Sequence, residues 1–361
     1  MIYTRTPFRI SFFGGGTDYP GWYRKHGGAV LSATINKYCY LSVRYLPPFH
    51  EHRYRIVYRK IELCQHASEI EHPAVRAVLE FMGTDRGLAV HHDGDLPARS
   101  GMGTSSSFTV GLLHAMHALR GEMVSKHTLA QEGIHIEQDV LKETVGSQDQ
   151  AAAAYGGLNH IVFQPNGEIN VQPVTADPKR VALLNNHLML FYTGIKRTAA
   201  DVAQSYVDDI DTKRQQLRVL RELVNESLSI LASDADLNTF GELLHEAWVV
   251  KRELSNKVSN TQVDEMYLAG RQAGALGGKL TGAGGGGFLV LFVPPERQAA
   301  VRETLRDLPL VPFRFDFSGS RVIFYDPGED YAALDMDRAV HGVGAFREMA
   351  DLEGPPATPP T

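Results

Sequence analysis

Alternating hydrophobic and polar positions predict strands at the start of the chain. Residues 3–13 are rich in β-branched and aromatic side chains and end at a glycine run, and residues 29–45 form a longer stretch of the same kind. Within the second stretch, Cys39, Leu41 and Val43 share one face, as the two-residue period of a strand requires. The pattern predicts further strands at 54–58, 87–92, 158–163, 188–192, 288–293, 311–317 and 321–325.

Helical spacing of the apolar residues dominates elsewhere. Between residues 105 and 119 the apolar positions recur every three or four residues, at Phe108, Leu112, Ala115 and Leu119. Residues 198–275 are almost wholly helical by the same criterion. A charged stretch within them carries one apolar face, which predicts a buried helix side, at Leu217, Leu220, Leu223 and Val224. Shorter helices are predicted at 73–82, 125–141 and 295–305.

A chain of 361 residues is long enough for two domains of about 100–200 residues each. Its 43% hydrophobic and 22% charged residues are typical of a globular protein with a sizeable core. We place the boundary near 180–187, after the turn-rich residues 175–178. The sequence thus predicts domains at 1–185 and 186–326, and a tail at 327–361 whose proline-rich end is expected to be disordered.

Charge and cysteine content exclude several classes of protein. The 36 Lys+Arg and 42 Asp+Glu residues give a net charge of −6 without a long basic block, so nucleic acid is not an expected partner. Cys39 and Cys64 have no paired spacing that would indicate a disulfide framework or a cysteine metal site. No apolar run approaches the roughly 18 residues that span a bilayer, and a signal peptide is not evident. We expect a cytoplasmic protein that does not bind membranes.

A glycine- and hydroxyl-rich segment, DLPARSGMGTSSS, occupies residues 95–107 between a predicted strand and a predicted helix. Gly101 and Gly103 allow the backbone to approach a ligand closely. The helix that starts near Thr104 offers unpaired N–H groups and a positive dipole end. The segment therefore predicts a phosphate-binding loop, and an ordinary serine or threonine helix cap is the alternative.

Two further glycine runs lie near the two ends of the chain. Residues 282–287 contain the spacing G-x-G-x-x-G, but an apolar strand follows, so a dinucleotide oxidoreductase is not favoured. Residues 14–16 form a glycine turn that places Asp18 at the end of the first predicted strand. A turn aspartate usually makes local hydrogen bonds, and the alternative is that it accepts hydrogen bonds from sugar hydroxyls.

Two carboxylates follow the predicted phosphate loop. Glu137 lies in a predicted helix, and Asp149 follows a Gly-Ser turn. Phosphoryl transfer uses two carboxylates with separate duties, since one holds Mg²⁺ and the other positions or deprotonates the attacking hydroxyl. The pair therefore indicates a phosphotransferase.

These segments together resemble the GHMP kinase superfamily, whose three motifs occur in order at residues 7–18, 97–107 and 279–287. The resemblance covers about residues 3–325 and is strongest to the kinases that act on a heptose 7-phosphate. It implies a two-domain α+β fold with the active site in the cleft between the domains. The N-terminal domain would resemble the second domain of ribosomal protein S5, and the C-terminal domain would be ferredoxin-like.

The resemblance also implies roles for individual residues. Asp149 is expected to accept the proton of the anomeric hydroxyl of the sugar while Arg9 stabilises the developing charge, and Ser105 and Glu137 are expected to hold Mg²⁺. ATP is expected to contact Arg99, Ser100, Gly101, Met102, Gly103, Thr104, Ser105 and Ser106. The sugar is expected to contact Gly15, Gly16, Thr17, Asp18, Arg197, Lys251, Gly284 and Gly285.

The expected product is a heptose 1,7-bisphosphate, so the distal phosphate of the sugar needs a cationic site. Arg197 and Lys251 are the first choices among six candidates, which are Lys25, Arg99, Lys196, Arg197, Lys251 and Lys279. Two alternatives stay open: an anomeric kinase of an unphosphorylated sugar such as galactose or fucose, and a non-catalytic sensor that binds sugar and ATP. A homodimer is compatible with each of them.

Overall fold

A large sheet forms the first part of the fold in the computed structural model, which describes residues 1–196, 199–328 and 331–341. Its strands are β1 (Ile2–Phe13), β2 (Gly28–Tyr45), β3 (Tyr54–Val57), β4 (Ile61–Cys64), β5 (Leu88–Gly94), β6 (Leu158–Phe163), β7 (Ile169–Pro173) and β11 (Arg321–Tyr325). They run in the order β11-β1-β2-β5-β3-β4, and β6 pairs with both β2 and β7. The first half of the long strand β2 pairs with β6 and its second half with β5.

A three-stranded sheet follows in the second part, in the order β8-β10-β9. Its strands are β8 (Leu188–Tyr192), β9 (Gly277–Leu280) and β10 (Phe288–Phe292). The described helices are α1 (Pro20–His26), α2 (Pro73–Phe81), α3 (Thr104–Leu119), α4 (Lys126–Ile134), α5 (Gln148–Tyr155), α6 (Pro178–His187), α7 (Ala199–Val207), α8 (Arg214–Ala232), α9 (Asn238–Arg252), α10 (Thr261–Gln272), α11 (Gln298–Thr304) and α12 (Ala332–His341). Among the described residues, no helix is both long and apolar enough to cross a membrane.

An aromatic seam joins the two sheets. The Phe240 ring of α9 packs edge-on against Phe12 and Phe13 of β1, with centroids 5.7 and 5.1 Å apart, and it also contacts Phe292 of β10 at 6.1 Å. All four rings are fully buried, and edge-to-face pairs add specific geometry to the apolar contact. The seam fixes the end of β1, and with it the glycine turn at residues 14–16, against the second half of the chain.

The two-domain α+β architecture is confirmed, together with most of the predicted elements. The predicted apolar face of α8 is buried, with each of its four residues at most 2% exposed. The strand predicted at 311–317 is wrong. Pro312 cannot donate to a ladder. Two later N–H groups donate to side-chain amide oxygens, Arg314 to Asn36 Oδ1 and Phe315 to Asn185 Oδ1.

The end of the chain returns to the first sheet. Strand β11 pairs antiparallel with β1, so residues 321–325 belong to the large sheet of the first part of the fold. The sequence predicted them in the second domain, 186–326. The predicted tail contains the helix α12, and the proline-rich end lies outside the described residues. The exact domain bounds stay a prediction.

Candidate active site

The predicted phosphate loop connects β5 to α3. Arg99, Gly101 and Gly103 have φ of 60°, 78° and 72°, in the left-handed region that glycine adopts readily. Gly103 is the N-cap residue of α3, so the N–H groups of the first turn begin at Thr104. This geometry offers backbone donors and the positive end of a 16-residue helix to an anion. The side chain of Met102, by contrast, is fully buried in the core.

The third glycine run packs directly on this loop. A side-chain carbon at Gly101 would lie 2.5 Å from the carbonyl oxygen of Thr281, and one at Gly287 would lie 2.2 Å from that of Ser100. Gly284 and Gly285 contact the backbone of Val258 instead, and Gly285 N–H donates to its carbonyl oxygen at 2.7 Å. Close backbone packing therefore explains why these positions are glycine. From this run, Gly282 and Ala283 line a cavity of about 310 Å³. A sugar contact from Gly284 or Gly285 stays a prediction.

A bidentate ion pair lies beside the phosphate loop. Arg9 Nε and Nη2 donate to the two carboxylate oxygens of Asp149, each at 2.7 Å, and Nη1 donates to the Gly101 carbonyl oxygen at 2.6 Å. The Arg9 side chain is 5% exposed and that of Asp149 is 25% exposed. A side-chain carbon at Gly103 would lie 3.5 Å from Asp149 Oδ2. The carboxylate is thus held rigidly next to the loop while it remains accessible from the cavity.

The second predicted carboxylate, Glu137, is completely buried. It lies in a π-helical turn, His135–Val140, where the sequence predicted a continuous helix over 125–141. Its carboxylate accepts hydrogen bonds from Ser106 Oγ at 2.7 Å, Thr109 Oγ1 at 2.9 Å and Gln150 Nε2 at 2.5 Å. Burial raises the pKa of Glu137 to about 7, although these neutral donors oppose the shift.

The donor set around Glu137 is compatible with Mg²⁺. The three groups that donate to Glu137 are neutral, and a buried carboxylate held only by neutral donors gains most from a divalent ion nearby. Its two oxygens have about four lone-pair directions, so three hydrogen bonds leave one for a metal. The structure joins Glu137 to Ser106, whereas the predicted partner Ser105 is exposed in the first turn of α3 and lines the cavity. The Ser105–Glu137 metal site stays a prediction.

The glycine turn after β1 holds Asp18 in the cavity wall. Asp18 Oδ1 accepts from Gly16 N–H at 2.9 Å, and Oδ2 accepts from Gln148 Nε2 at 2.9 Å. Burial raises the pKa of Asp18. A sugar contact from Thr17 stays a prediction, and in this structure its buried hydroxyl bonds to the carbonyl oxygens of Gly14 and Ala29 and holds the turn closed. Thr17 does not line the cavity, whereas Gly15, Gly16 and Asp18 do.

Two buried lysines connect the second half of the chain to this turn. Lys251 of α9 donates to the Gly282 carbonyl oxygen at 2.5 Å, and Lys279 of β9 donates to the Phe12 carbonyl oxygen at 3.0 Å. Burial, together with the nearby Arg9 charge, lowers the pKa of Lys251 to about 8. Burial also lowers the pKa of Lys279, well below its ordinary value, and the Lys251 charge adds to the effect. Of the two, Lys251 lines the cavity.

The remaining candidates for a distal phosphate site are Lys25, Arg99, Lys196 and Arg197. Lys25 is exposed and paired with Asp211 at 2.6 Å, and Lys196 is exposed. Arg99 is exposed and lines the cavity together with Glu143. Burial raises the pKa of Glu143, and the Arg99 charge opposes this shift. Arg197 lies outside the described residues.

One cavity, of about 310 Å³, brings the predicted groups together. It contains Arg9, Asp18, Asp149 and the start of α3. Sequence reasoning missed several of its polar residues, which are Ser11, Gln148, Thr144, Tyr19 and Tyr206. Gln148 directly precedes Asp149, so its position beside the predicted base was the available signal, whereas no motif marked Tyr206. A recess of about 440 Å³ behind the π-helical turn contains none of the glycine-rich loops.

Family comparison assigns these features to a superfamily. Residues 61–157 match the GHMP kinases N terminal domain, and residues 220–308 match the GHMP kinases C terminal. The chain belongs to the GHMP kinase superfamily. This GHMP kinase is accordingly an ATP-dependent phosphotransferase that acts on an alcohol group.

Individual relatives add detail. The GHMP kinase is 27% identical over 321 residues to D-glycero-alpha-D-manno-heptose 7-phosphate kinase of Campylobacter jejuni, covering 84% of this chain and 93% of that one. The solved structure of a D-glycero-D-manno-heptose 1-phosphate kinase from Bacteroides thetaiotaomicron superimposes with a TM-score of 0.74 at 23% identity, covering 89% and 98% of the two chains. Lactococcus lactis galactokinase complexed with galactose gives 0.66 at 20% identity, covering 89% and 94%. The two structures show the shared fold.

Proposed function

We propose that this GHMP kinase transfers the γ-phosphoryl group of ATP to the anomeric hydroxyl of D-glycero-D-manno-heptose 7-phosphate. The product would be the 1,7-bisphosphate. The observation that carries the reaction type is the bidentate Arg9–Asp149 pair, which is held next to the phosphate loop. The 27% identity to a heptose 7-phosphate kinase over most of both chains supports the acceptor.

The proposed chemistry begins at Asp149. Its carboxylate accepts the proton of the attacking hydroxyl, the hydroxyl oxygen forms a bond to the γ-phosphorus, and the bond from that phosphorus to the β,γ-bridging oxygen breaks to release ADP. Arg9 keeps both carboxylate oxygens in one orientation and contributes positive charge as the phosphoryl group moves. Because the pair is fixed by three hydrogen bonds, little reorganisation is needed during transfer.

The nucleotide phosphates lie, in this proposal, on the first turn of α3. Thr104, Ser105 and Ser106 supply N–H groups there, and Ser105 also supplies an exposed hydroxyl. Ser105 and Glu137 would hold Mg²⁺, with several waters completing the coordination. When bound, the metal neutralises phosphate charge.

A sugar panel tests the acceptor directly. Release of ADP is measured with heptose 7-phosphate, heptose, galactose and fucose under identical conditions. We expect the highest kcat/KM with heptose 7-phosphate. An enzyme that prefers galactose or fucose would instead be a kinase of an unphosphorylated sugar, and release of ADP with none of the four would support the sensor alternative.

We expect the distal phosphate to bind at least one cation other than the buried Arg9, Lys251 and Lys279. Of the six candidates, Lys251 and Lys279 are buried and donate to carbonyl oxygens of the chain, and Lys25 is paired with Asp211. The test therefore covers Arg99, Lys196 and Arg197. Each is replaced singly by Ala and assayed with heptose and heptose 7-phosphate. Replacement of the residue that binds the phosphate should lower kcat/KM for the phosphorylated sugar by about 10- to 100-fold. The same replacement should leave kcat/KM for heptose unchanged. Equal losses on both sugars would indicate a contact to ATP.

A further inference from the structure

A small niche opens in the cavity wall at Gly15. A side-chain carbon built on this glycine would lie 3.6 Å from Ser11 Oγ, 3.8 Å from Gln148 Nε2 and 3.9 Å from Lys251 Nζ. These groups come from β1, α5 and α9, which are distant in the sequence. All three residues and Gly15 itself line the cavity. Three polar side chains therefore converge on the space that the glycine leaves open.

The niche contains unused hydrogen-bonding capacity. Ser11 Oγ and Gln148 Oε1 are buried and have no hydrogen-bond partner among the described residues. Gln148 Nε2 donates to Asp18 Oδ2, which turns the amide oxygen away from the carboxylate and leaves it free to accept. Lys251 makes one hydrogen bond within the described ranges, to the Gly282 carbonyl oxygen, and an ammonium group has three donors. Buried polar atoms are normally satisfied, so the niche is built for a polar ligand group.

The mixture of donors and acceptors selects the ligand chemistry. An ionised phosphate has oxygens that mainly accept, and the Asp18 carboxylate that Gln148 holds beside the niche would repel it. A sugar hydroxyl accepts and donates at once, so it can accept a hydrogen bond from the Lys251 ammonium and donate one to Ser11 Oγ. One hydroxyl group then satisfies both Lys251 and Ser11.

We propose that Lys251, Ser11 and Gln148 form a hydroxyl-binding subsite for the sugar acceptor, and that Gly15 keeps it open. Lys251 thus recognises the sugar itself and is not the distal phosphate ligand that the sequence suggested. The inference rests on the proposed function only in that the acceptor is a sugar. It does not depend on which sugar is preferred.

Gly15→Ala fills the niche with the smallest possible change. Gly15 has no positive φ, unlike Gly14 and Gly16, and the distances around the added carbon are ordinary van der Waals contacts. The variant should therefore fold with an unchanged Tm. We expect the KM for the sugar to rise about 10- to 100-fold, the scale for lost hydrogen bonds to charged groups, while the KM for ATP stays the same. Gly21→Ala, in the exposed part of α1, is the matched control and should leave both constants unchanged.

Lys251→Met separates sugar recognition from phosphate recognition. Its kcat/KM is measured with heptose and heptose 7-phosphate, and Ser11→Ala provides the same comparison if the lysine variant does not fold. We expect the same factor of loss on both sugars. A loss confined to the 7-phosphate, or an unchanged sugar KM in Gly15→Ala, would overturn the inference. If the wild type prefers galactose, the proposed heptose activity fails and the niche is tested with galactose.

Discussion

The two carboxylates of the site, Asp149 and Glu137, have opposite surroundings. Asp149 faces the cavity and shares a bidentate ion pair with Arg9. Glu137 is fully buried and is bonded by two hydroxyls and one amide, none of which carries charge. Burial accordingly raises the pKa of Glu137 to about 7.

The difference is what the separate roles proposed for the two carboxylates require. The arginine partner fixes the orientation of Asp149, as the proposed contact with the substrate needs. Neutral donors hold Glu137 in place without neutralising it, so its negative charge is best compensated by a bound cation. We therefore expect variants at the two positions to fail in different ways.

Asp149→Asn should produce the largest effect. The amide keeps the shape of the side chain but cannot accept the proton, and removal of a general base typically lowers turnover by about 10²- to 10⁴-fold. The affinity for ATP, measured by equilibrium titration, should change little. Asp177→Asn, at the N-cap of α6, is a control outside the cavity. A turnover close to that of the wild type would remove Asp149 from the mechanism.

Glu137→Gln and Ser105→Ala should act through the metal. We expect the Mg²⁺ concentration for half-maximal activity to rise by at least about tenfold in each, because loss of groups around a metal site costs about 10- to 100-fold in affinity. Ser106→Ala decides between the neighbouring serines, since Ser106 is the one bonded to Glu137. Glu132→Gln, which affects an ion pair with His117, is the control. An unchanged Mg²⁺ dependence in Ser105→Ala would reassign the ligand.

The pH dependence of Lys251 should give the smallest effect. Its pKa of about 8 means that the ammonium is lost as the pH rises through 8, so kcat/KM for the sugar should fall above that pH. In the unfolded chain a lysine keeps its proton to about pH 10.4. Between these values the unfolded state binds more protons, and the contribution of Lys251 to the free energy of unfolding therefore increases with pH. The decline in activity is not caused by this residue weakening the fold.

A pH profile of kcat/KM for the wild type and Lys251→Met checks this assignment. The alkaline limb near pH 8 should be present in the wild type and absent from the variant. An identical limb in both proteins would assign the titration to another group.

Much of the site could be predicted because glycine, hydroxyl and carboxylate residues form local motifs. The turn at residues 14–16 and the loop before α3 were recognisable from their neighbours alone. The Gly15 niche was not, since it needs Ser11, Gln148 and Lys251 from three elements, and only the folded chain brings them together. The bonding of Thr17 could not be predicted for a related reason: its hydroxyl bonds to Ala29, which β2 carries to the same turn.

The position of phosphorylation tests the central claim most directly. Heptose 7-phosphate is incubated with ATP and Mg²⁺, and the purified product is examined by ³¹P nuclear magnetic resonance with proton coupling. The account predicts two phosphate monoester signals, one of them coupled to the anomeric proton. A second phosphate at any other carbon, or no phosphorylated product while galactose or fucose is converted, would contradict it.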